Sequence, residues 1–181
     1  LRNPIERAYS GFQHVKRYNL KEDCSDFKSA WAISEERYFS MPEMTPASRY
    51  SELGLYYKQV KSYLDGIRNI HIIVYDDYKN DFQSEMNKIF DFLKIKRVEI
   101  DPQLKYMVGG WQWKNEKIRK LMIKKNLVRS FLKLLIPFKG IRKNIRARVQ
   151  SRNSTTVSEM SKADKEMLQE FYKDDIQHLS V

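Results

Sequence analysis

Cysteine and histidine are scarce in this chain of 181 residues, which contains one cysteine, Cys24, and three histidines. A single cysteine excludes an internal disulfide framework and a cysteine-rich zinc site. His14, His71 and His178 are widely separated along the sequence, so they predict no metal cluster. We therefore expect no bound metal.

Long apolar runs are also lacking. The longest candidate, residues 131–138, is interrupted by Lys133 and Pro137, whereas a membrane-spanning helix needs roughly 20 apolar residues. No signal peptide is visible, but the chain begins without methionine in what reads as a strand, so we expect its natural N-terminus to lie upstream. The compartment stays open. The cytoplasm is favoured because neither a transmembrane segment nor a disulfide framework is visible.

Acidic residues are outnumbered, since 34 Lys and Arg face 23 Asp and Glu and give a net charge of +11. Such an excess favours an anionic partner, which includes a nucleotide, an acidic glycan, nucleic acid or an anionic membrane. The length and the 41% content of hydrophobic residues predict one globular domain over residues 1–181.

The first ten residues predict the end of a buried strand that turns directly into a helix. Asn3 falls at the N-cap, Pro4 at the first helical position and Glu6 at the third, which is a capping-box pattern. The N–H groups of a first helical turn and the helix dipole favour an anion. Arg2 would add a guanidinium to such a site and Ser10 a hydroxyl. An ordinary capped helix with solvated arginines explains the same pattern.

Later segments predict further helices and one buried strand. The nearly continuous apolar run Ile70–Tyr75 predicts a parallel strand covered on both faces, and Asp76 with Asp77 at its end either positions a ligand or caps the next turn. Trp111 and Trp113 form an aromatic pair near this predicted ligand edge. The predicted helices are Pro4 to about Tyr18, Pro46 to Gly66, one capped by Asn80 that ends near Leu93, about Lys114 to Leu135, and one capped by Ser161.

The opening residues also resemble a known family. Arg2, Pro4, Arg7 and Ser10 spell R-x-P-x-x-R-x-x-S at a strand-to-helix junction. This pattern is similar to the 3′-phosphate-binding motif of sulfotransferases, which use 3′-phosphoadenosine-5′-phosphosulfate (PAPS). The resemblance continues through the next helix and through the strand that ends in Y-D-D-Y, where the family usually has Y-E-D-L. It covers residues 1–95 well and residues 140–179 loosely.

This resemblance implies a fold and a nucleotide site. The fold would be the three-layer α/β sulfotransferase fold, similar to that of P-loop NTPases, with a mostly parallel sheet, here helix-rich and without the N-terminal strand and phosphate loop. Arg2 and Ser10 would hold the 3′-phosphate. Arg7, one turn before Ser10, and Arg152, in a basic segment where the family has a loop over the nucleotide, would be further contacts. The family's phosphate-loop lysine and general base usually precede the motif, so no catalytic residue is expected in these 181 residues and the fragment alone should be inactive.

The resemblance further implies an activity. The intact protein would be a transferase that moves a sulfuryl group from PAPS to a hydroxyl or amine of a carbohydrate or small-molecule acceptor, without a metal. Two other functions fit the residues. One is a basic nucleic-acid-binding protein that uses residues 114–152, although their basic residues are not interleaved with exposed aromatics at a recognisable RNA-binding spacing. The other is a non-catalytic domain that binds a nucleotide or a partner protein.

Overall fold

The computed structural model describes residues 1–19, 21–101, 109–124, 136 and 138–179. The packing of the backbone divides the chain into two compact units, which we describe separately. The sequence predicts one domain over residues 1–181, and that stays a prediction. The first unit comprises Leu1–Ser10, Arg49–Val108 and Met160–Val181, and the second comprises Gly11–Ser48 and Gly109–Glu159.

Helices dominate the described residues, and one small sheet accompanies them. The helices are α1 (Pro4–Tyr18), α2 (Phe27–Ala32), α3 (Ser34–Ser40), α4 (Tyr57–Gly66), α5 (Tyr75–Asn80), α6 (Phe82–Leu93), α7 (Glu116–Ile123), α8 (Lys139–Arg152) and α9 (Lys162–Leu179). Two short 3₁₀ turns lie at Pro46–Ser48 and Glu52–Gly54, and the strands are β1 (Trp111–Trp113) and β2 (Ser154–Thr156). Within this part of the chain, no helix combines the length and apolarity needed to cross a membrane.

Helix α1 has the predicted bounds, and its first half belongs to the first unit while its second half belongs to the second. The Asn3 side chain accepts hydrogen bonds from the N–H groups of Ile5, at 3.0 Å, and Glu6, at 3.4 Å. Asn3 is therefore the N-cap, as predicted. The apolar stripe of α1 is buried: Ile5, Ala8, Phe12 and Val15.

Helix α9 is the centre of the first unit. Leu168 and Tyr172 are completely buried, which confirms part of the predicted inner face of this helix. The Tyr172 hydroxyl lies 3.0 Å from the carbonyl oxygens of both Tyr50 and Ser51. This helix begins as the sequence predicts, because the Ser161 hydroxyl accepts a hydrogen bond from a first-turn N–H at 3.0 Å.

The predicted helix from Pro46 to Gly66 is wrong in its first half, where two separate 3₁₀ turns precede α4. The Asp175 carboxylate accepts hydrogen bonds from the N–H groups of Tyr56, at 2.8 Å, and Tyr57, at 3.2 Å. The Tyr172 hydroxyl occupies carbonyl groups a few residues earlier. Because distant side chains bind these main-chain groups, the segment before α4 does not continue a helical ladder. The predicted end at Gly66 is confirmed.

The predicted strand Ile70–Tyr75 is also corrected. None of these residues is in a β-strand, and Tyr75 already begins α5. Asp76 and Asp77 lie in the first turn of that helix, where their charge suits the helix dipole, but its N-cap is Val74 and no side chain caps it. Both alternatives for this pair therefore stay predictions. The cap of α6 is Asp81, one residue after the predicted Asn80, and its carboxylate accepts a hydrogen bond from the Ser84 N–H at 3.1 Å.

The sheet of the second unit differs from the mostly parallel sheet that the resemblance implies. Among the described residues it has two antiparallel strands, in which Trp111 pairs with Thr156 and Trp113 with Ser154. Two strands of three residues each leave most of the backbone to helices. The described residues are therefore mainly helical, and their β-structure is this one small sheet.

The helix predicted from Lys114 to Leu135 begins slightly later, because Asn115 caps α7 by accepting hydrogen bonds from two first-turn N–H groups. Residues 125–135 lie outside the described residues. The basic segment is helical where the resemblance implies a loop, since residues 139–152 form α8 and Gly140 lies in its first turn. Glycine is tolerated there because it precedes the helix interior. Basic side chains along this segment are compatible with helix, as Arg and Lys are good helix formers.

Candidate functional site

Of the strand-to-helix junction predicted at the start of the chain, in the first unit, the helix α1 is confirmed, whereas Leu1–Asn3 are extended without being a β-strand and Leu1 is exposed. The N-terminal nitrogen of Leu1 donates a hydrogen bond to the Ile73 carbonyl, and the Tyr75 N–H donates one to the Leu1 carbonyl at 2.6 Å. Two bonds from one residue to positions on either side of Val74 are the pattern of a parallel pair. The chain therefore leaves a parallel pairing at Leu1 and enters α1 at Pro4.

Arg2 lies at this junction with its side chain about one third exposed. Its guanidinium is 5.1 Å from the centre of the Tyr75 ring, and its Nη2 is 3.5 Å from the Glu6 carboxylate. The Nε of Arg2 is buried and has no hydrogen-bond partner among the described residues. A buried N–H donor without a partner costs free energy, so this nitrogen is suited to an anionic acceptor.

Glu6 does not complete the predicted capping box, because its carboxylate pairs with Arg2. Ser10 lies two turns into α1 and is half-buried. Its hydroxyl has no hydrogen-bond partner among the described residues. Helical spacing puts Ser10 on the same face of α1 as Glu6 and Arg7, which precede it by four and three residues.

Arg7 has partners within the protein. Its Nη1 donates a hydrogen bond to the Leu53 carbonyl, and its guanidinium is 5.7 Å from the centre of the Tyr56 ring. Burial raises the pKa of Tyr56, although the Arg7 charge acts in the opposite direction. Tyr56 therefore stays a neutral phenol at pH 7, and Arg7 holds the turn before α4 against α1. A nucleotide contact for Arg7 stays a prediction.

Arg152 is the last residue of α8, in the second unit, and its side chain is exposed. Arg146 and Arg148 are exposed on the same helix. Arg152 is thus available to a ligand, and its part in nucleotide binding stays a prediction.

Sequence reasoning missed the role of Arg17 in the second unit. Arg17 is 5% exposed, although the apolar periodicity of α1 places it away from the buried stripe. Its Nε donates a hydrogen bond to the Trp111 carbonyl at 2.7 Å, and the Trp113 indole N–H donates one to the Arg17 carbonyl at 3.2 Å. Trp111 and Trp113 are visible as a pair in the sequence, but their partner Arg17 lies more than ninety residues earlier in the chain.

Known proteins similar to this chain were found in two of three comparisons. The model of the sulfotransferase domain family matches residues 1–179. Among curated proteins, no sequence matches the chain significantly. Among solved structures, the chain is similar to the crystal structure of a sulfotransferase from Alicyclobacillus acidocaldarius, with 23% sequence identity and a TM-score of 0.50.

The structural match covers 71% of this chain and 54% of the Alicyclobacillus chain, so the chain spans about half the length of that protein. At this identity the likeness shows a shared fold. The family match extends over nearly every residue, from the strand-to-helix junction to the end of α9. The chain therefore belongs to the sulfotransferase domain family.

Proposed function

We propose that this chain holds the 3′-phosphate of PAPS in a sulfotransferase, and that Arg2 and Ser10 contact that phosphate. The observation that carries the proposal is the buried Nε of Arg2 beside the capped N-terminus of α1, which has no hydrogen-bond partner in the described part of the chain. A phosphate oxygen would accept a charge-assisted hydrogen bond from this N–H. The Ser10 hydroxyl would donate a neutral bond to the same phosphate.

In the proposed reaction of the intact protein, a hydroxyl or amine of the acceptor attacks the sulfur atom of PAPS. The new bond to sulfur forms as the bond between sulfur and the bridging phosphate oxygen breaks. The nucleotide 3′-phosphoadenosine-5′-phosphate (PAP) leaves with that electron pair, and the acceptor proton passes to a base. Arg2 and Ser10 make or break none of these bonds. They fix the nucleotide so that the sulfuryl group is aligned with the attacking atom.

Calorimetric titration of the chain with PAP, and with adenosine 5′-phosphate as the ligand that lacks a 3′-phosphate, tests this proposal. We expect only PAP to bind well. Arg2→Ala should weaken PAP binding by about 10- to 100-fold, since a hydrogen bond to a charged group contributes about 1.5–3 kcal/mol. Ser10→Ala should weaken it by about 2- to 10-fold, as expected for a neutral donor.

Arg97→Ala is the matched control. It removes the same charge from the first unit, where Arg97 forms an exposed pair with Asp91 at 2.5 Å, and it should leave PAP affinity unchanged. Equal binding of both nucleotides, or equal losses in all three variants, would refute a specific 3′-phosphate site. In that case a basic nucleic-acid-binding function becomes the better reading, and its affinity for DNA or RNA would fall steeply with salt.

A further inference from the structure

The positive charge of this chain is concentrated in one stretch of the second unit. Residues 117–158 contain thirteen lysines and arginines and no aspartate or glutamate, whereas acidic residues slightly outnumber basic ones in the rest of the chain. The whole net charge of +11 therefore arises from this stretch. Helix α8 is the longest helix of the stretch among the described residues.

Helix α8 also exposes apolar side chains along one side. Phe138, at its N-cap, is 67% exposed, Ile141 is 49% exposed and Ile145 is 43% exposed. Spacings of three and four residues put these side chains on the same side of the helix, and the half-buried Val149 continues the row. We call these four residues the apolar row of α8. Large apolar side chains exposed side by side mark an interaction surface.

Arginines border the apolar row on both sides. With about 100° of rotation per residue, Arg142 and Arg146 follow one edge of the row and Arg148 follows the other. Arg146 and Arg148 are exposed, and Arg142 donates a hydrogen bond to the Ile136 carbonyl at 2.6 Å. The helix itself contains no aspartate or glutamate. Its exposed surface therefore combines apolar groups with positive charge that no acidic residue of α8 offsets.

We propose that α8 lies on the surface of an anionic lipid bilayer, with the apolar row among the acyl chains and the arginines at the level of the headgroups. This inference goes beyond the proposed nucleotide site, which lies in the first unit. A bilayer surface offers hydrocarbon and negative charge within a few ångströms of depth. The long arginine side chains can reach the headgroups while the helix backbone lies near the acyl boundary. A polar, cationic helix of this kind lies in the interface plane and does not cross the bilayer.

The apolar row favours a bilayer over a nucleic acid as the partner. Nucleic acids bind cationic side chains through their phosphates, and their bases stack on flat aromatic side chains. Ile141 and Ile145 are neither charged nor flat, so a nucleic acid would leave them in water. In a bilayer both side chains leave water together with Phe138, and their removal should weaken binding.

The test is cosedimentation of the chain with vesicles of equal parts phosphatidylcholine and phosphatidylserine, beside vesicles of phosphatidylcholine alone. We expect the chain to bind the mixed vesicles at least about tenfold more tightly, because several basic residues contribute at an anionic surface. Arg146→Gln with Arg148→Gln should weaken this binding about 10- to 30-fold. The matched control is Lys165→Gln with Lys173→Gln, which removes two exposed cations from α9 and should have little effect.

The apolar row has variants of its own. Ile141→Gln with Ile145→Gln places good helix formers at two exposed positions, and it should weaken binding to the mixed vesicles at least about tenfold. Phe138→Ser removes the ring but puts a capping hydroxyl at the N-cap, so α8 is kept while binding falls about threefold or more. Leu64→Gln, at an exposed apolar position of α4, is the control that should change nothing.

The other outcomes also decide the matter. Equal affinity for the two kinds of vesicle would show that negative headgroups are not recognised, and it would overturn the proposal. Unchanged binding in the isoleucine and Phe138 variants would refute insertion, and displacement of the vesicles by duplex RNA in that case would assign α8 to nucleic acid. Calorimetric titration of the same variants with PAP keeps the two proposals apart, because weak vesicle binding by the parent chain with normal PAP affinity refutes only this one.

Discussion

The two units of this protein stabilise their loops by different polar groups. In the first unit, α9 uses a tyrosine hydroxyl and the Asp175 carboxylate to bind main-chain groups of residues 50–57. In the second unit, Arg37 and Arg119 bind carboxylates, and Arg119 also binds the Lys16 and Asn19 carbonyls. The main-chain groups of residues 50–57 in the first unit are therefore bound mainly by a buried tyrosine and a carboxylate, with Arg7 at the Leu53 carbonyl, whereas the second unit relies on guanidinium–carboxylate pairs.

The difference shows how to sort the arginines of this chain. Arg37 and Arg119 have carboxylate partners, so their substitution should change stability first. Arg2 has a buried nitrogen without a partner among the described residues, and Arg17 is a buried arginine whose Nε bonds the Trp111 carbonyl. An arginine with an unused nitrogen in a buried setting is a candidate ligand contact. Arg2 is the candidate that arises from this comparison.

The largest expected effect is the loss of the buried pair in the second unit. Arg37→Ala leaves the Glu22 carboxylate, which is 1% exposed, without its partner at 2.8 Å. Removing one member of a buried pair costs about 3–5 kcal/mol, and urea denaturation would measure the loss. Lys21→Ala removes a cation from an exposed pair with Glu43 and should have little effect on the free energy of unfolding, because exposed pairs are screened by solvent. Similar small losses in both variants would mean that guanidinium pairs do not stabilise the second unit.

A smaller effect is expected where the first unit depends on close fit. Gly54→Ala would place a Cβ atom 2.5 Å from the Tyr172 hydroxyl oxygen, and Tyr172 is completely buried. Overpacking of this kind costs about 1–3 kcal/mol. Gly66→Ala, whose Cβ would meet nothing within 4 Å, should be neutral or stabilising by about 0.5 kcal/mol. Equal midpoints of thermal unfolding for the two variants would contradict this account of the first unit.

The smallest effect concerns pH and the Glu116–Arg119 pair. Hydrogen bonding from Arg119 lowers the pKa of Glu116. A lowered folded-state pKa stabilises the protein above the unfolded pKa of about 4.3, and this stabilisation is lost as the pH falls through the folded value. Glu116 is half-exposed, so the contribution at pH 7 is at most about 1 kcal/mol. Urea denaturation should show Glu116→Gln less stable than the parent at pH 7 and nearly equal to it at pH 3. If Glu116→Gln were still less stable than the parent at pH 3, its loss of stability would not depend on the ionisation of Glu116.

Local signals account for the elements that the sequence predicts correctly. The caps of α1 and α9 are side chains within three residues of the groups they bind, so both starts are visible in the sequence. The break before α4 is not visible there, because its causes, Tyr172 and Asp175, follow more than a hundred residues later. The extended segment before Tyr75 is not visible in the sequence either, because its pairing with Leu1 joins residues that are far apart in the chain.

Arg2, Ser10 and Arg17 divide in the same way. Arg2 and Ser10 lie eight residues apart across one strand-to-helix junction, so a local motif is sufficient to find them. Arg17 is buried by β1, whose residues lie far along the chain, and no helical pattern of α1 marks it. That no carboxylate of the described residues pairs with it is a property of the packed structure alone.

The Asp175 carboxylate has a consequence for biosynthesis. It binds the N–H groups at the beginning of α4, although it lies 118 residues after Tyr57. The ribosome releases the chain from its N-terminal end, so those N–H groups have no such acceptor while the intervening residues are still being translated. The turn before α4 therefore lacks its α9 partners until α9 has been translated and has docked, and until then it is a stretch open to a chaperone or a protease.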